Sequence, residues 1–285
     1  MTIDVVTAMV DDPRIFGAIA AANSVSDVYA MAGLPMVALS FIGFPSDQLP
    51  IEVLGEIAAG LRDTCERAGC AIVGGHTIVD PEPKAGLAVT GTADRAVVWS
   101  QRAALPGQLL VLTKPIGTGI AVQAMKGERC PPLLAERAIA SMMMLNRVAR
   151  DAGLAAGATS ATDVTGFGLL GHLGNICDAS SVRANLVSSQ VPVFEGAREL
   201  AQLGVVPGGS KRNLKFMEAL VDFADAVDDT TRLLLADAQT SGGLLLCVPA
   251  ANVAALVARL TGEGASAAVI GELEARKDGP LIRVT

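Results

Sequence analysis

Helical and strand-like segments alternate along the first part of the chain, and this alternation restricts the fold more than any other feature. Residues 11–13, Asp-Asp-Pro, predict a capped helix start, and the helix extends to Gly33. A second predicted helix over 51–68 ends at Gly69, and an apolar strand over 70–74 follows directly. Apolar residues make up 51% of the chain and aromatic residues only 3%, so small aliphatic side chains must fill the core. The pattern favours an α/β or α+β fold.

The chain is long enough for two domains, because single hydrophobic cores stop growing near ~250 to 300 residues. Turn-forming residues near 102–107 suggest a boundary. We therefore predict an N-terminal domain over 1–104 and a C-terminal α+β domain over 105–285. In the C-terminal domain the pattern predicts a strand over 109–113 and one long helix over 131–152.

Charge and cysteine content exclude several classes of protein. The net charge is −7 and no Lys or Arg cluster occurs, which argues against a nucleic-acid surface. Gly and Pro interrupt every apolar stretch before it reaches a membrane-spanning length. The five cysteines show no metal-binding spacing and indicate reduced, cytoplasmic thiols. The two histidines are too few for a multi-histidine metal site, and we predict neither His76 nor His172 as the main catalyst.

Two glycine-rich segments could approach phosphate groups. The chain has no P-loop, and the GxGxxG pattern at 166–171 lacks the buried strand that a dinucleotide-binding fold places before it. Residues Gly75, His76 and Thr77 follow the strand over 70–74, where backbone amides and the Thr hydroxyl could contact a nucleotide phosphate. A plain tight turn explains the same three residues equally well.

Carboxylates are the better candidates for a Mg²⁺ site, since this ion prefers hard oxygen ligands and few protein groups. Asp27 lies one helical turn from Asn23 on an otherwise small and apolar stripe, although a solvated helix-surface Asp would also fit. Asp163 precedes a glycine-rich helix start where Thr165 can act as the cap, although a turn Asp would also fit. Asp4, on a strand of Ile and Val, points either outward or into a site; periodicity leaves both open.

Together these segments resemble the selenophosphate synthetase (selenide, water dikinase) family, which belongs to the aminoimidazole ribonucleotide synthetase-like superfamily. The segments occur in the family's order and span nearly the whole chain. They are residues 11–13, 23–27, 74–77, 114–117, 162–172, 206–213 and 237–245. The resemblance implies a two-domain α+β fold. Its N-terminal domain, expected to be truncated at its start in this sequence, would bind ATP and dimerise through a β-barrel.

The resemblance also implies a reaction: ATP, selenide and water give selenophosphate, AMP and phosphate. The enzyme would be a Mg²⁺-dependent, cytoplasmic homodimer with a shared active site, and it would bind neither nucleic acid nor membrane. By position, the implied metal ligands are Asp27 and Asp163. The implied nucleotide contacts are Asp4, Asp27, Gly75, His76 and Thr77.

One family feature is expected outside this sequence. The family's reactive Cys or selenocysteine and its essential Lys lie in a segment that would precede residue 1. Cys65 cannot take that role, because it lies on the predicted core face of the second helix. We therefore predict no catalytic residue within the chain and expect impaired activity. The alternative is a non-catalytic nucleotide-binding or dimerisation protein that retains the scaffold.

Overall fold

The computed structural model describes residues 1–285, and residues before 93 form its first sheet. The elements of this first part are β1 (Thr2–Thr7), α1 (Pro13–Ala30), β2 (Leu34–Phe44), α2 (Ile51–Ala68), β3 (Ala71–Val79) and β4 (Lys84–Thr92). The strands lie in the order β1, β4, β2, β3, so β1 and β3 form opposite edges of the sheet. β2 and β3 are parallel, and the other neighbours are antiparallel.

Helix α1 is the central helix of the first part and is buried along nearly its whole length. Its start is fixed by Asp12, whose carboxylate accepts hydrogen bonds from the backbone N–H groups of Arg14 (2.9 Å) and Ile15 (3.0 Å). The helix packs between β4 and α2. It approaches α2 closely because Gly60 has no side chain: a Cβ there would lie 2.1 Å from the Arg14 carbonyl oxygen. The predicted Asp-capped start is confirmed.

The second part of the chain forms a seven-stranded sheet with helices packed around it. Its elements are β5 (Gln108–Leu112), α3 (Thr118–Lys126), α4 (Pro132–Met143), α5 (Arg147–Ala155), β6 (Ser160–Asp163), α6 (Gly168–Ser180), β7 (Val182–Leu186), α7 (Ala197–Gln202), α8 (Gly208–Met217), β8 (Val221–Phe223), α9 (Asp229–Leu235), β9 (Leu244–Pro249), α10 (Val253–Gly262), β10 (Ala268–Ala275) and β11 (Ile282–Val284). The order is β6, β9, β5, β10, β7, β11, β8. Strands β7, β11 and β8 run parallel to one another, and the other neighbours are antiparallel.

The predicted α+β class is confirmed, since two separate, largely antiparallel sheets each pack against helices. The predicted boundary at residues 104 and 105 lies between β4 and β5 and stays a prediction. No helix is both long and apolar enough to span a bilayer.

The single helix predicted over 131–152 is wrong, because the structure has two helices, α4 and α5, with a break between them. Hydrogen bonds from distant parts of the chain stabilise the non-helical residues between α4 and α5. The carbonyl of Met144 accepts a hydrogen bond from Lys114 Nζ (2.7 Å), and Asn146 Nδ2 donates to Ser26 Oγ (2.9 Å). A continuous helix would engage the Met144 carbonyl with the backbone N–H four residues on, so that it would not be free to accept from Lys114.

The tight-turn alternative left open for Gly75, His76 and Thr77 is also wrong. These residues continue β3, which ends only at Val79, and they pair in parallel with β2. Nearly every residue of β3 is exposed on both faces, because β3 is an edge strand with only its first residues near α2. The segment is therefore an open strand edge, not a loop folded against a strand end.

The sheet face opposite α1 and α2 is apolar and open to solvent. Cross-strand pairing places the side chains of β1, β2 and β3 in rows on this face. Its large exposed hydrophobic residues include Ile3, Val5, Val37, Leu39 and Ile78. A contiguous apolar surface of this kind is typical of a protein–protein interface. We call it the open sheet face.

Candidate functional site

A cleft of about 500 Å³ lies between the two parts of the chain, where the end of α1 meets the end of β6. Its walls come from both parts. The residues that line it include Thr2, Asp27, Met31, Gly91–Ala93, Trp99–Gln101 and Ala161–Asp163. Both predicted metal aspartates, Asp27 and Asp163, therefore face one cavity although they are far apart in sequence. A larger groove of about 640 Å³ between α6 and α8 contains only one carboxylate, that of Asp178.

Asp163 is the most unusual carboxylate of the cleft. It is 4% exposed at the end of β6, and its Oδ2 atom has no hydrogen-bond partner. Burial and the charge of Asp27 raise the pKa of Asp163 to about 7, while the Ser26 hydroxyl opposes this shift. A buried carboxylate with a free oxygen beside a second carboxylate is a ready ligand for a cation.

Asp4 belongs to the same charged group. Its Oδ2 accepts a hydrogen bond from Asn23 Nδ2 (3.3 Å), and burial together with the Asp27 charge raises the pKa of Asp4 to about 6. The Thr2 hydroxyl donates to Asp27 Oδ2. Of the two alternatives that periodicity left open for Asp4, the structure shows the inward one, because strand β1 turns this side chain towards α1.

The other predicted nucleotide contacts do not join this group within one chain. Gly75, His76 and Thr77 lie on β3, and Asp4 lies on β1 at the opposite edge of the same sheet. Their backbone and side chains are exposed. Their role in nucleotide binding stays a prediction. In the structure, only a ligand or a second chain that covers the β3 edge of the sheet could contact them.

His172 is a site residue whose role the sequence did not reveal. Its Nε2 accepts a hydrogen bond from the Thr165 backbone N–H (3.1 Å), so its Nδ1 carries the proton and faces Thr162 Oγ1 at 3.4 Å. Burial lowers the pKa of His172 to about 4, and the ring is therefore neutral near pH 7. The predicted Thr165 cap of α6 is wrong, because α6 begins at Gly168 and Thr165 contacts the imidazole instead. His172 fixes the loop that follows Asp163.

Family comparisons agree with this two-part architecture. Residues 1–93 match the family described as AIR synthase related protein, N-terminal domain, and residues 106–283 match AIR synthase related protein, C-terminal domain. The chain is 45% identical to the selenide, water dikinase of Myxococcus xanthus (strain DK1622) over 281 residues, which cover 98% of this chain and 79% of that protein. Other proteins with this name are 41% and 44% identical over 99% of the chain.

The chain belongs to the selenide, water dikinase family. This assignment confirms the resemblance inferred from the seven sequence segments, and the named relatives are phosphotransferases. The segment 162–172 contributes Asp163, Thr165 and His172 to the cleft and its supporting loop.

Solved structures share the fold at low sequence identity. The chain superposes on thiamine-monophosphate kinase from Stenotrophomonas maltophilia K279a with a TM-score of 0.75 at 18% identity, covering 99% of this chain and 84% of that one. It superposes on hydrogenase maturation protein HypE in complex with ATP with a TM-score of 0.73 at 20% identity, covering 96% and 76%. These likenesses establish the fold alone.

The donor set of the cleft fits Mg²⁺. No three His, Cys, Asp or Glu side chains converge into a metal cage. Mg²⁺ does not need one, since it usually keeps water and phosphate ligands beside one or two carboxylates. A cation bound here would provide a partner for the free Oδ2 of Asp163. Its positive charge would also lower the raised pKa values of Asp4 and Asp163. Asp27 and Asp163 are the residues that would hold it.

The glycine-rich segment 117–119 is not a free phosphate site. Asp237 Oδ2 accepts hydrogen bonds from the N–H groups of Gly119 (3.1 Å) and Ile120 (3.3 Å), and Gln239 Oε1 accepts from Gly117 N–H (2.9 Å). These side chains satisfy the amides at the start of α3 that an anion would otherwise bind. The family segments 114–117 and 237–245 therefore bind each other.

Proposed function

We propose that the chain binds ATP and Mg²⁺ in the cleft and carries the phosphoryl-transfer site of selenophosphate synthesis, in which ATP, selenide and water give selenophosphate, AMP and phosphate. One observation carries the proposal: Asp27 and Asp163 face one cleft, and the buried Oδ2 of Asp163 lacks any protein partner. The family membership supports the reaction, and the ATP-bound fold relative supports ATP as the substrate.

The residues of the cleft have separate tasks. Asp27 and Asp163 would hold Mg²⁺, and Asp4 adds a third negative charge on the same side as Asp27. A bound divalent cation supplies charge neutralisation for transferring phosphates, which is the main requirement of phosphoryl transfer. His172 remains neutral and keeps the loop after Asp163 in place through Thr165.

A homodimer with a shared site would account for Gly75, His76 and Thr77. In one chain they lie across the sheet from Asp4, on an exposed edge next to the open sheet face. A second copy covering this face would bury its apolar side chains and could bring these residues towards the partner's nucleotide. We propose this arrangement for the five predicted nucleotide contacts.

The cleft supports impaired turnover for this chain acting alone. None of the residues that line it is Cys or Lys, and both Cys65 and Cys70 are buried in the core of the first part. The same observation favours the second candidate function, which is nucleotide binding without turnover. A cytoplasmic location fits the five cysteines, all of which are free thiols.

The test measures AMP formation from ATP with and without selenide and Mg²⁺, and nucleotide affinity by titration calorimetry. We expect Mg²⁺-dependent binding of ATP, and we expect loss of this binding in Asp27→Asn and Asp163→Asn. Asp222→Asn, an exposed substitution on β8 far from the cleft, is the matched control and should bind normally. Equal Mg²⁺-dependent affinity in all four proteins would refute the assignment of the cleft. Selenide-dependent turnover would decide between the two candidate functions.

A further inference from the structure

The turn at residues 241–243 joins the two parts of the chain beside the cleft. The Ser241 backbone N–H donates to Asn23 Oδ1 (2.9 Å), and the same Asn23 side chain donates through Nδ2 to Asp4 (3.3 Å). The Gly242 carbonyl accepts from Asn146 Nδ2 (2.9 Å). The turn is therefore bound to helix α1 on one side and to the break between α4 and α5 on the other.

The buried side chain of Lys114 donates a hydrogen bond to this turn. It is 3% exposed, and its Nζ donates to the carbonyls of Ser241 (2.8 Å) and Met144 (2.7 Å). The backbone of Lys114 and the turn are in direct contact, because a Cβ at Gly243 would lie 2.4 Å from the Lys114 nitrogen. One ammonium group thus ties together the end of β5, the helix break and the turn.

Asn146 also connects the turn to the region around Asp163, the carboxylate that the second part of the chain contributes to the cleft. Asn146 Nδ2 donates to Ser26 Oγ (2.9 Å), and the Ser26 hydroxyl lies close enough to Asp163 to lower the pKa of its carboxyl. Gly242 lies against the Val164 carbonyl, since a Cβ there would be 1.9 Å from that oxygen. We call Asn23, Ser26, Lys114, Asn146 and the turn 241–243 the latch.

Stability does not explain why an ammonium group lies here. Lys114 has two carbonyl acceptors and no carboxylate within ion-pair distance. Burial lowers its pKa to about 7, and the more distant negative charge of Asp163 only partly opposes this shift. Burying a charge in this way is costly, and an apolar side chain of similar length would avoid the cost. What Lys114 does provide is a fixed position for Ser241, and through Ser241 for Asn23.

We propose that Lys114 is a positioning residue for the cleft, which acts through the latch to set Asp4 and Asp27 of the first part at the correct separation from Asp163 of the second. The proposal rests on the proposed binding of Mg²⁺ and ATP. Metal-bridged phosphate binding depends on this separation, because misplacement by about 1 Å can change function by about 100-fold. Lys114 itself is buried and does not line the cleft.

The experiment compares the full-length chain with Lys114→Met, which keeps the length of the side chain and removes its donors. Titration calorimetry measures the affinity for a nonhydrolysable ATP analogue at several Mg²⁺ concentrations, and thermal melting measures stability without ligand. We expect Lys114→Met to weaken Mg²⁺-dependent nucleotide binding by about tenfold or more, while its melting temperature changes by only a few degrees. If Lys114 had a purely structural role, Lys114→Met would lower the melting temperature strongly and leave the nucleotide affinity of the folded protein nearly unchanged.

Arg150→Met is the matched control. Arg150 is also a partly buried cation between the two parts. Its guanidinium donates to the Ala32 carbonyl at 2.7 and 3.0 Å, and its side chain makes no hydrogen bond to a latch residue. We expect its nucleotide affinity to stay within about twofold of the original. Asn146→Ala breaks the latch at a second point and replaces Lys114→Met if that variant does not fold.

The outcomes separate the inference from the proposed function. If the original chain binds no nucleotide, the proposed function fails. If it binds, but Lys114→Met or Asn146→Ala binds within about twofold of it, the positioning role is refuted. Equal weakening in Lys114→Met and Arg150→Met would also refute it, because any contact between the two parts would then have the same effect.

Discussion

Asp163 shows at the scale of one residue how burial changes a carboxylate. Its pKa is raised from 3.8 to about 7, mainly by burial. A raised pKa in the folded state stabilises the protein below about pH 4. That contribution is lost as the pH rises through about 7, where the buried group must ionise without a partner. Without a metal ion the chain should therefore lose stability between about pH 4 and pH 8.

Asp163→Asn removes this loss, because an amide carries no charge at any of these pH values. In EDTA at pH 8 we expect the variant to be more stable on the order of 2 kcal/mol, and at pH 4 we expect no clear difference. Urea unfolding at both pH values measures the change. Asp222→Asn is the control: it changes an exposed side chain and should alter the free energy of unfolding by less than about 0.5 kcal/mol at either pH. A variant that is less stable at pH 8 would contradict the burial of an unpaired carboxylate at Asp163.

The close contact of α1 and α2 is a property of two elements and depends on one small residue. Gly60→Ala would place a Cβ 2.1 Å from the Arg14 carbonyl oxygen and 2.8 Å from the Ala18 nitrogen, so the helices must separate. We expect a loss of about 2 to 3 kcal/mol in the free energy of unfolding, measured with urea.

Gly55→Ala is the control for this substitution on the same helix. Its added Cβ would meet no atom within 4 Å, and Ala favours helix over Gly by about 0.5 to 1 kcal/mol. We therefore expect Gly55→Ala to be neutral or stabilising. Similar losses from both variants would show that helix contact is not the cause.

Sequence patterns predicted the elements whose signals are local, and missed those set by distant contacts. The Asp12 cap, the core position of Cys65 and the pairing of Asp27 with Asp163 follow from spacing or from family segments. The break in the helix over 131–152 could not be predicted, because Lys114 and Ser26 cause it from outside that segment. The continuation of β3 through its glycines likewise depends on pairing with β2.

At the scale of the whole molecule, the open sheet face predicts a dimer. Leu39 is 52% exposed in the middle of β2, and Glu at this position would place a charge within the proposed interface. We expect the original chain to sediment as a dimer and Leu39→Glu as a monomer in analytical ultracentrifugation. Leu203→Glu is the control, since Leu203 is 78% exposed just after α7 and should leave the dimer intact. A monomeric original chain would contradict the prediction.

Strand β3 is an edge strand exposed on both faces, and this exposure makes the stability of the chain depend on protein concentration if a second copy covers the strand. If a second copy covers β3 and the open sheet face, part of the folding free energy comes from association and varies with the logarithm of protomer concentration. Dilution would then lower the free energy of unfolding, because it shifts the equilibrium from dimer towards separate chains. The melting temperature should fall as the protein is diluted, and it should stop depending on concentration in Leu39→Glu.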